Sequence, residues 1–218
     1  MHFDFGEESR QFHVDINLTR EIDAILFPLL EKATAVKTFN MLVLRKMWDT
    51  YETSLSNLIV FENLLTKIKS QLDLTPKEVA TLFVVDYLIV TESLLTHVVD
   101  FITFALISSG RNLTDPWTKK AVVLPDEIKL VPLATKLNFL KKNGFSIVSD
   151  RCNVQLRNSA AHLSYKIDNS GNVILPKGTV IKIFTSMMHF QDKLRDAAIG
   201  AHIAVRHFYY EKYGKYAP

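Results

Sequence analysis

Apolar residues recur at helical spacing through most of this chain. Leu44, Met47, Trp48, Tyr51, Leu55, Leu58 and Ile59 mark one face of a helix over residues 40–71. Ahead of it, Thr19 stands as an N-cap for a helix to about residue 37, bent at Pro28. Residues 1–17 read as a loosely ordered or short-strand lead-in. The clearest local signal is Thr75-Pro76-Lys77-Glu78. Thr75 can cap, Pro76 suits the first helical position and Glu78 completes a capping box. The helix that follows runs to Ser109, and Gly110 stops it.

Residues 111–131 read as a polar, proline-containing connector with a short helical turn between Pro116 and Val122. Pro132 opens a helix through Lys142, which Asn143-Gly144 ends. Residues 145–164 form the next helix. Lys166 to Leu175 reads as a small hairpin, its alternating apolar arms joined by Asn169-Ser170-Gly171. From Thr179 to Tyr213 the pattern returns to a long helix. The fold class is therefore all-α, an up-and-down bundle with a small β-hairpin inserted before the last helix.

Composition narrows this picture. At 218 residues the chain can bury a substantial core, and only 7 Gly and 7 Pro favour long helices over many short strands. The expected organisation is an N-terminal helical extension over residues 1–74 packed on a bundle over 75–218, or one continuous domain. Cys152 is the single cysteine, which rules out an internal disulfide and a cysteine-rich zinc site. Its ordinary reading is a small buried apolar residue. The start lacks a basic patch followed by an apolar segment, so a signal peptide is not expected and the sequons at Asn17 and Asn112 carry little weight. The apolar stretch over residues 79–109 is interrupted by Asp86, Glu92, His97 and Asp100, which favours a buried core helix over a membrane span. A cytoplasmic location, without membrane attachment, is the default expectation.

The net charge of +3 is unevenly spread. Between Leu133 and Lys166 stand Lys136, Lys141, Lys142, Arg151, Arg157 and Lys166, with Asp150 as the sole anion. A polyanion could be met there, although a solvated basic face is about as common. Within this stretch lies Arg157-Asn158-Ser159-Ala160-Ala161-His162: a fixed cation, an amide and a proton-carrying side chain. These are the residue types that metal-free cleavage of a phosphodiester requires. On a continuous helix Cys152, Leu156, Ala160, Leu163 and Ile167 would line a core-facing stripe. Asn158, Ala161, His162 and Tyr165 would lie opposite, with Arg157 at the border.

Spacing alone identifies nothing. Chance yields roughly one Arg–His pair of this separation in such a chain, and Arg195 with His202 forms a second, nearly eclipsed on one helix face. The context of the first pair separates them. A penultimate helix reading Leu-Arg-Asn-x-x-Ala-His, a hairpin insertion and a long final helix resemble the HEPN family, over roughly residue 75 to the C-terminus. The family's pattern is Arg, a polar residue, then His after four to six residues, and it marks a metal-independent ribonuclease site. Arg157, Asn158 and His162 match it in the expected helix, whereas Arg195 and His202 lie midway along the last one.

The resemblance implies an endoribonuclease that needs neither metal nor cofactor. His162 would act as general base or acid, Arg157 would grip the phosphate, and Asn158 would orient His162 or bond the substrate. Tyr165, Arg151 and Lys166 would contribute to RNA binding. Two-fold dimers of such domains bring two motifs into one cleft, and the small Ala161 would permit close approach there. A role as toxin or defence protein follows, with an antitoxin or nucleotidyltransferase as partner. In some relatives such a transferase modifies a tyrosine two residues after the histidine; Tyr165 stands three after.

Other residues were candidates for chemistry. Asp86, Ser93, His97 and Asp100 fall near one line of their helix, either as a buried polar stripe or as a carboxylate aimed at Arg157 or His162. His97 and Asp100 supply only two ligands toward a metal. His189, Asp192, His202, Arg206 and His207, with Tyr209, Tyr210, Tyr213 and Tyr216, decorate the last helix as a nucleic-acid surface or as an ordinary amphipathic face. Two further functions stay open: a non-catalytic HEPN-like module binding nucleotide, RNA or protein, and an all-α scaffold.

Overall fold

A computed structural model describes residues 15–36, 39, 41–182 and 188–214. The architecture is a helical bundle with two small antiparallel sheets, in agreement with the expected all-α class. Residues 1–14 of the expected N-terminal lead-in lie outside the described residues, and its last residues, 15–17, form the cap and start of a helix instead.

Helix α1 (Ile16–Thr34) begins one turn earlier than the sequence suggests. Asp15 is its cap, accepting the Leu18 N–H at 3.0 Å, while the Thr19 hydroxyl donates back to the Asp15 carbonyl at 2.8 Å. Asp and Thr are both good caps, and the one whose next turn buries Leu18, Ile22 and Leu26 prevails. Helix α2 (Met41–Gln71) matches its predicted span. The capping box at Thr75 forms, with the Glu78 N–H on Thr75 Oγ1 at 3.3 Å and the Thr75 N–H on Glu78 Oε2 at 2.8 Å.

The long helix opened by that box is not uniform. It comprises α3 (Pro76–Val90), a π-helical turn over Thr91–Leu95 and α4 (Thr96–Ser108). A π turn holds one extra residue and rotates everything after it by about 100° relative to a regular helix. The predicted polar line is therefore broken, and its members face different neighbours. By length and composition this helix could cross a bilayer. In the fold it is a core element, burying Val84, Tyr87, Val90, Val99, Ile102 and Phe104.

The connector departs from expectation. Residues 116–122 are not helical: β1 (Leu113–Thr114) and β2 (Ala121–Val122) form a hairpin, and the helix comes later as α5 (Pro125–Leu130). Buried Leu113 and Val122 pair across the strands, a long-range gain that local propensity does not register. Helix α6 (Leu133–Lys142) follows Pro132 as predicted.

The expected helix over residues 145–164 is two pieces, α7 (Ser146–Ser149) and α8 (Val154–Ala161). The break is satisfied from outside. Tyr87 Oη accepts the Asn153 N–H at 2.8 Å and donates to its carbonyl, and Asn153 Oδ1 caps α8 through the Leu156 N–H at 3.0 Å. The predicted core stripe survives at Leu156 and Ala160 but not at Leu163, which lies beyond the helix and is 80% exposed.

Strands β3 (Lys166–Ile167) and β4 (Val173–Ile174) form the expected hairpin, and β5 (Val180–Ile181) adds a third strand. Gly171 turns it with a φ of 81°; a Cβ there would stand 2.8 Å from the Pro76 carbonyl oxygen. The last helix does not start at Thr179, because Val180 and Ile181 pair with β4 instead; it is α9 (Met188–Tyr213). Helices α1 and α9 make the most extensive helix contact, and a Cβ at Gly200 would stand 3.1 Å from Ile22 Cδ1 and 3.2 Å from Thr19 Oγ1. One apolar cluster runs from Leu18 to Tyr209, so the helices before residue 74 share the core of those after it.

Candidate functional site

The short helix α8 presents the motif. Leu156, Ser159 and Ala160 are buried, while Asn158, Ala161 and His162 are exposed. The outward placement predicted for the last three therefore holds. His162 is the C-cap residue, its N–H bonded to the Asn158 carbonyl at 3.1 Å, and among the described residues nothing engages its imidazole.

The chain then turns through a Schellman motif. The Ser164 N–H reaches the Ser159 carbonyl at 2.9 Å and the Leu163 N–H reaches that of Ala160 at 3.2 Å. Glycine is usual where Leu163 stands, since its φ is 51°.

Arg157 is half-buried and held on two sides. Its Nε donates to Glu92 Oε1 at 2.7 Å, and Nη1 donates to Asn158 Oδ1 at 3.0 Å. Those bonds engage Nε and Nη1, two of the three guanidinium nitrogens, out of five N–H donors in all. Asn158 thus orients Arg157 rather than His162. Along the helical period Arg157 and His162 are about 140° apart, so they belong to adjoining surfaces.

Glu92 was not singled out as a site residue; only its interruption of an apolar stretch was legible. It sits in the π turn, and π turns are frequent at functional sites. A carboxylate from this helix does reach Arg157, but none of the residues on the expected polar line provides it. Asp86 accepts from Gln191 Nε2 at 2.7 Å, His97 Nε2 lies 3.1 Å from Ser54 Oγ, and buried Asp100 pairs with Lys136 at 2.5 Å. Burial raises the Asp86 and Asp100 carboxyls and lowers the His97 imidazole.

The remaining candidates are distributed unevenly. Lys166 is exposed at the start of β3. Arg151 is half-buried, with Nε on the Ile147 carbonyl at 3.2 Å. Tyr165 is half-buried and packs against the core, a poorer stacking platform than an outward ring. Burial pushes the Cys152 thiol up to about 11, so it stays protonated at neutral pH.

The rival pair serves the fold. Arg195 bonds Glu62 and lies 3.6 Å from Asp192. His202 is buried against Trp48 and Tyr51 of α2, its ring centroid 4.4 and 4.6 Å from theirs, and desolvation drives its pKa down to about 3. A histidine held neutral in a buried aromatic cluster is poorly suited to shuttling protons for a polyanion. The rest of α9 is largely structural too. His207 lies 3.0 Å from Asp23, and Tyr209 is core, whereas Tyr210 is exposed; Tyr216 lies outside the described residues.

Among the described residues no group of three or more His, Cys, Asp or Glu is placed to hold a metal ion. Comparison with protein-family models, curated proteins and solved structures returns no match.

Proposed function

We propose that this chain is a metal-independent endoribonuclease of the HEPN type, acting as a homodimer in the cytoplasm. The observation that supports it best is the contrast between its two Arg–His pairs. Arg157 is half-buried and buttressed by Glu92 and Asn158, and His162 is exposed at the end of the same helix, while Arg195 and His202 are consumed by packing.

RNA supplies its own nucleophile, the 2′-hydroxyl beside the scissile phosphate. One imidazole takes the 2′-hydroxyl proton as that oxygen attacks phosphorus in line. The 5′-oxygen leaves with a proton from an acid, giving a 2′,3′-cyclic phosphate. Arg157 would stabilise the added negative charge on the phosphoryl oxygens. A single histidine serves one side of this reaction, so the second would come from another copy of the chain. A toxin or defence role, with an antitoxin or nucleotidyltransferase partner, fits such an activity.

A second reading has its own support. Glu92 neutralises Arg157 in the free chain, as it would in a module that binds without cleaving. RNA cleavage in EDTA separates the two. Wild type should cleave, and Arg157→Ala and His162→Ala should each lower the rate by at least about a hundredfold. An inert wild type, or mutants as active as it, overturns the enzyme.

A further inference from the structure

The β1–β2 hairpin carries a side chain that the described fold does not use. Its inner end is anchored by Leu113 and Val122, 5% and 4% exposed. Its outer end raises Trp117 into solvent, 70% exposed, with no ring or cation among the described residues packed on the indole. A tryptophan gains so much from burial that this degree of exposure suits a surface awaiting a partner.

The turn beneath it is preorganised. Asp115 Oδ1 accepts the N–H groups of Trp117 at 2.8 Å and Thr118 at 2.6 Å. The Asp115 N–H bonds the Lys120 carbonyl at 2.9 Å, and Lys119, with a φ of 60°, bonds the Asp115 carbonyl at 3.0 Å. Arg111, Lys119 and Lys120 are all exposed. The one carboxylate of the hairpin, Asp115, is spent on backbone donors, which hold its pKa below the usual range. An exposed flat ring on a rigid turn, flanked by cations, combines the two elements that hold single-stranded nucleic acid: stacking on a base and pairing with phosphates.

We propose that this hairpin is a binding site for single-stranded RNA. The Trp117 indole stacks on an unpaired base, and Lys119 and Lys120 of the same turn meet the flanking phosphates. The inference rests on the chain being RNA-directed, and it places a contact on an element remote in sequence from α8. A lipid surface suits the turn less well. Trp117 is the one large apolar residue at its tip, among Pro116, Thr118, Lys119 and Lys120, although Val123 and Leu124 are exposed further on.

The experiment is a fluorescence titration of the intact chain in EDTA. The chain has two tryptophans, and the other, Trp48, is 8% exposed and stacked on His202, so a change in emission on binding reports Trp117. The probe is a short single-stranded oligodeoxynucleotide, which lacks the 2′-hydroxyl and cannot be cleaved. Saturable quenching is expected at low salt. Affinity, read for wild type and variants alike from the anisotropy of a fluorescein-labelled copy of the oligonucleotide, should fall about tenfold or more in Trp117→Ala, with an unchanged Tm, and be largely kept in Trp117→Phe. Lys119→Ala with Lys120→Ala should flatten the dependence of affinity on salt.

Absence of quenching, or an affinity that Trp117→Ala leaves intact, overturns the site. So does quenching by vesicles of phosphatidylserine and phosphatidylcholine without quenching by the oligonucleotide. RNA cleavage by a wild type that shows no quenching defeats the hairpin alone. Quenching by a wild type that never cleaves RNA defeats the ribonuclease alone.

Discussion

Arg157 and Glu92, 65 residues apart in sequence, are joined by a hydrogen-bonded ion pair of 2.7 Å across the contact between α8 and the π turn. The arginine is partly covered, with 26% of its side chain exposed, and the carboxylate is more open at 43%. Coulombic attraction in so wet a setting contributes only about 0.2–1 kcal/mol to stability. Orientation is the more important consequence, since Glu92 and Asn158 together fix the plane of the guanidinium.

If that plane matters, Glu92→Ala will leave thermal stability within about 1 kcal/mol of wild type while lowering RNA cleavage about tenfold or more. Arg157→Lys keeps the charge but cannot bond Glu92, Asn158 and a phosphate from one planar fork. Its activity should approach that of Arg157→Ala. Cleavage rates equal to wild type in both variants would show that the pair is merely structural.

His202 predicts how stability responds to acid. Desolvation outweighs the Glu52 carboxylate 3.4 Å from His202 Nε2 and holds the folded imidazole neutral down to about pH 3, whereas an unfolded histidine takes up a proton near pH 6.5. Its contribution is therefore complete above pH 6.5 and is lost as pH falls from there toward 3, by about 1.4 kcal/mol per unit. Denaturant titrations from pH 7 to 5 should show wild type losing stability faster than His202→Phe. The same variant should still cleave RNA, because His202 lies in the rival pair.

Lys136 and Asp100 test the core. Both are buried, 2% and 6% exposed, and their charges meet at 2.5 Å. Lys136→Met should destabilise by about 3–5 kcal/mol, since it strands a carboxylate in the interior. Adding Asp100→Leu should recover most of that loss, as the double-variant Tm would show.

Leu163 follows the motif helix at a φ of 51°. Leu163→Gly removes the clash between Cβ and backbone and should stabilise by about 1 kcal/mol, raising Tm by roughly 2–4 °C. A lower Tm would mean that its exposed side chain has a partner which offsets the strain.

Much of the secondary structure could be read from local chemistry. Thr75, Pro76 and Glu78 form their cap within four residues, and the apolar face of α2 extends along one helix, so both followed from spacing. The misreadings share a cause. Residues 145–164 look helical, but Tyr87 from another helix satisfies the backbone of Asn153 and makes a break inexpensive. Val180 and Ile181 suit a helix start until Val173 and Ile174 present a strand edge. At the site, the exposure of Asn158 and His162 followed from the helical period alone. The role of Glu92 did not, because an extra residue in a π turn leaves no recognisable trace in the pattern.

The sequence by itself determined the helical class, the best caps, and two Arg–His pairs, with four and six intervening residues, that spacing could not rank. Tertiary structure decided which pair stands at the surface, which carboxylate meets Arg157, and that His202 is buried against two aromatic rings. The physical reason is range. Capping and periodicity act within a few residues, where sequence order is also spatial order. Burial, desolvation and ion pairing depend on neighbours that the chain brings together only when it folds.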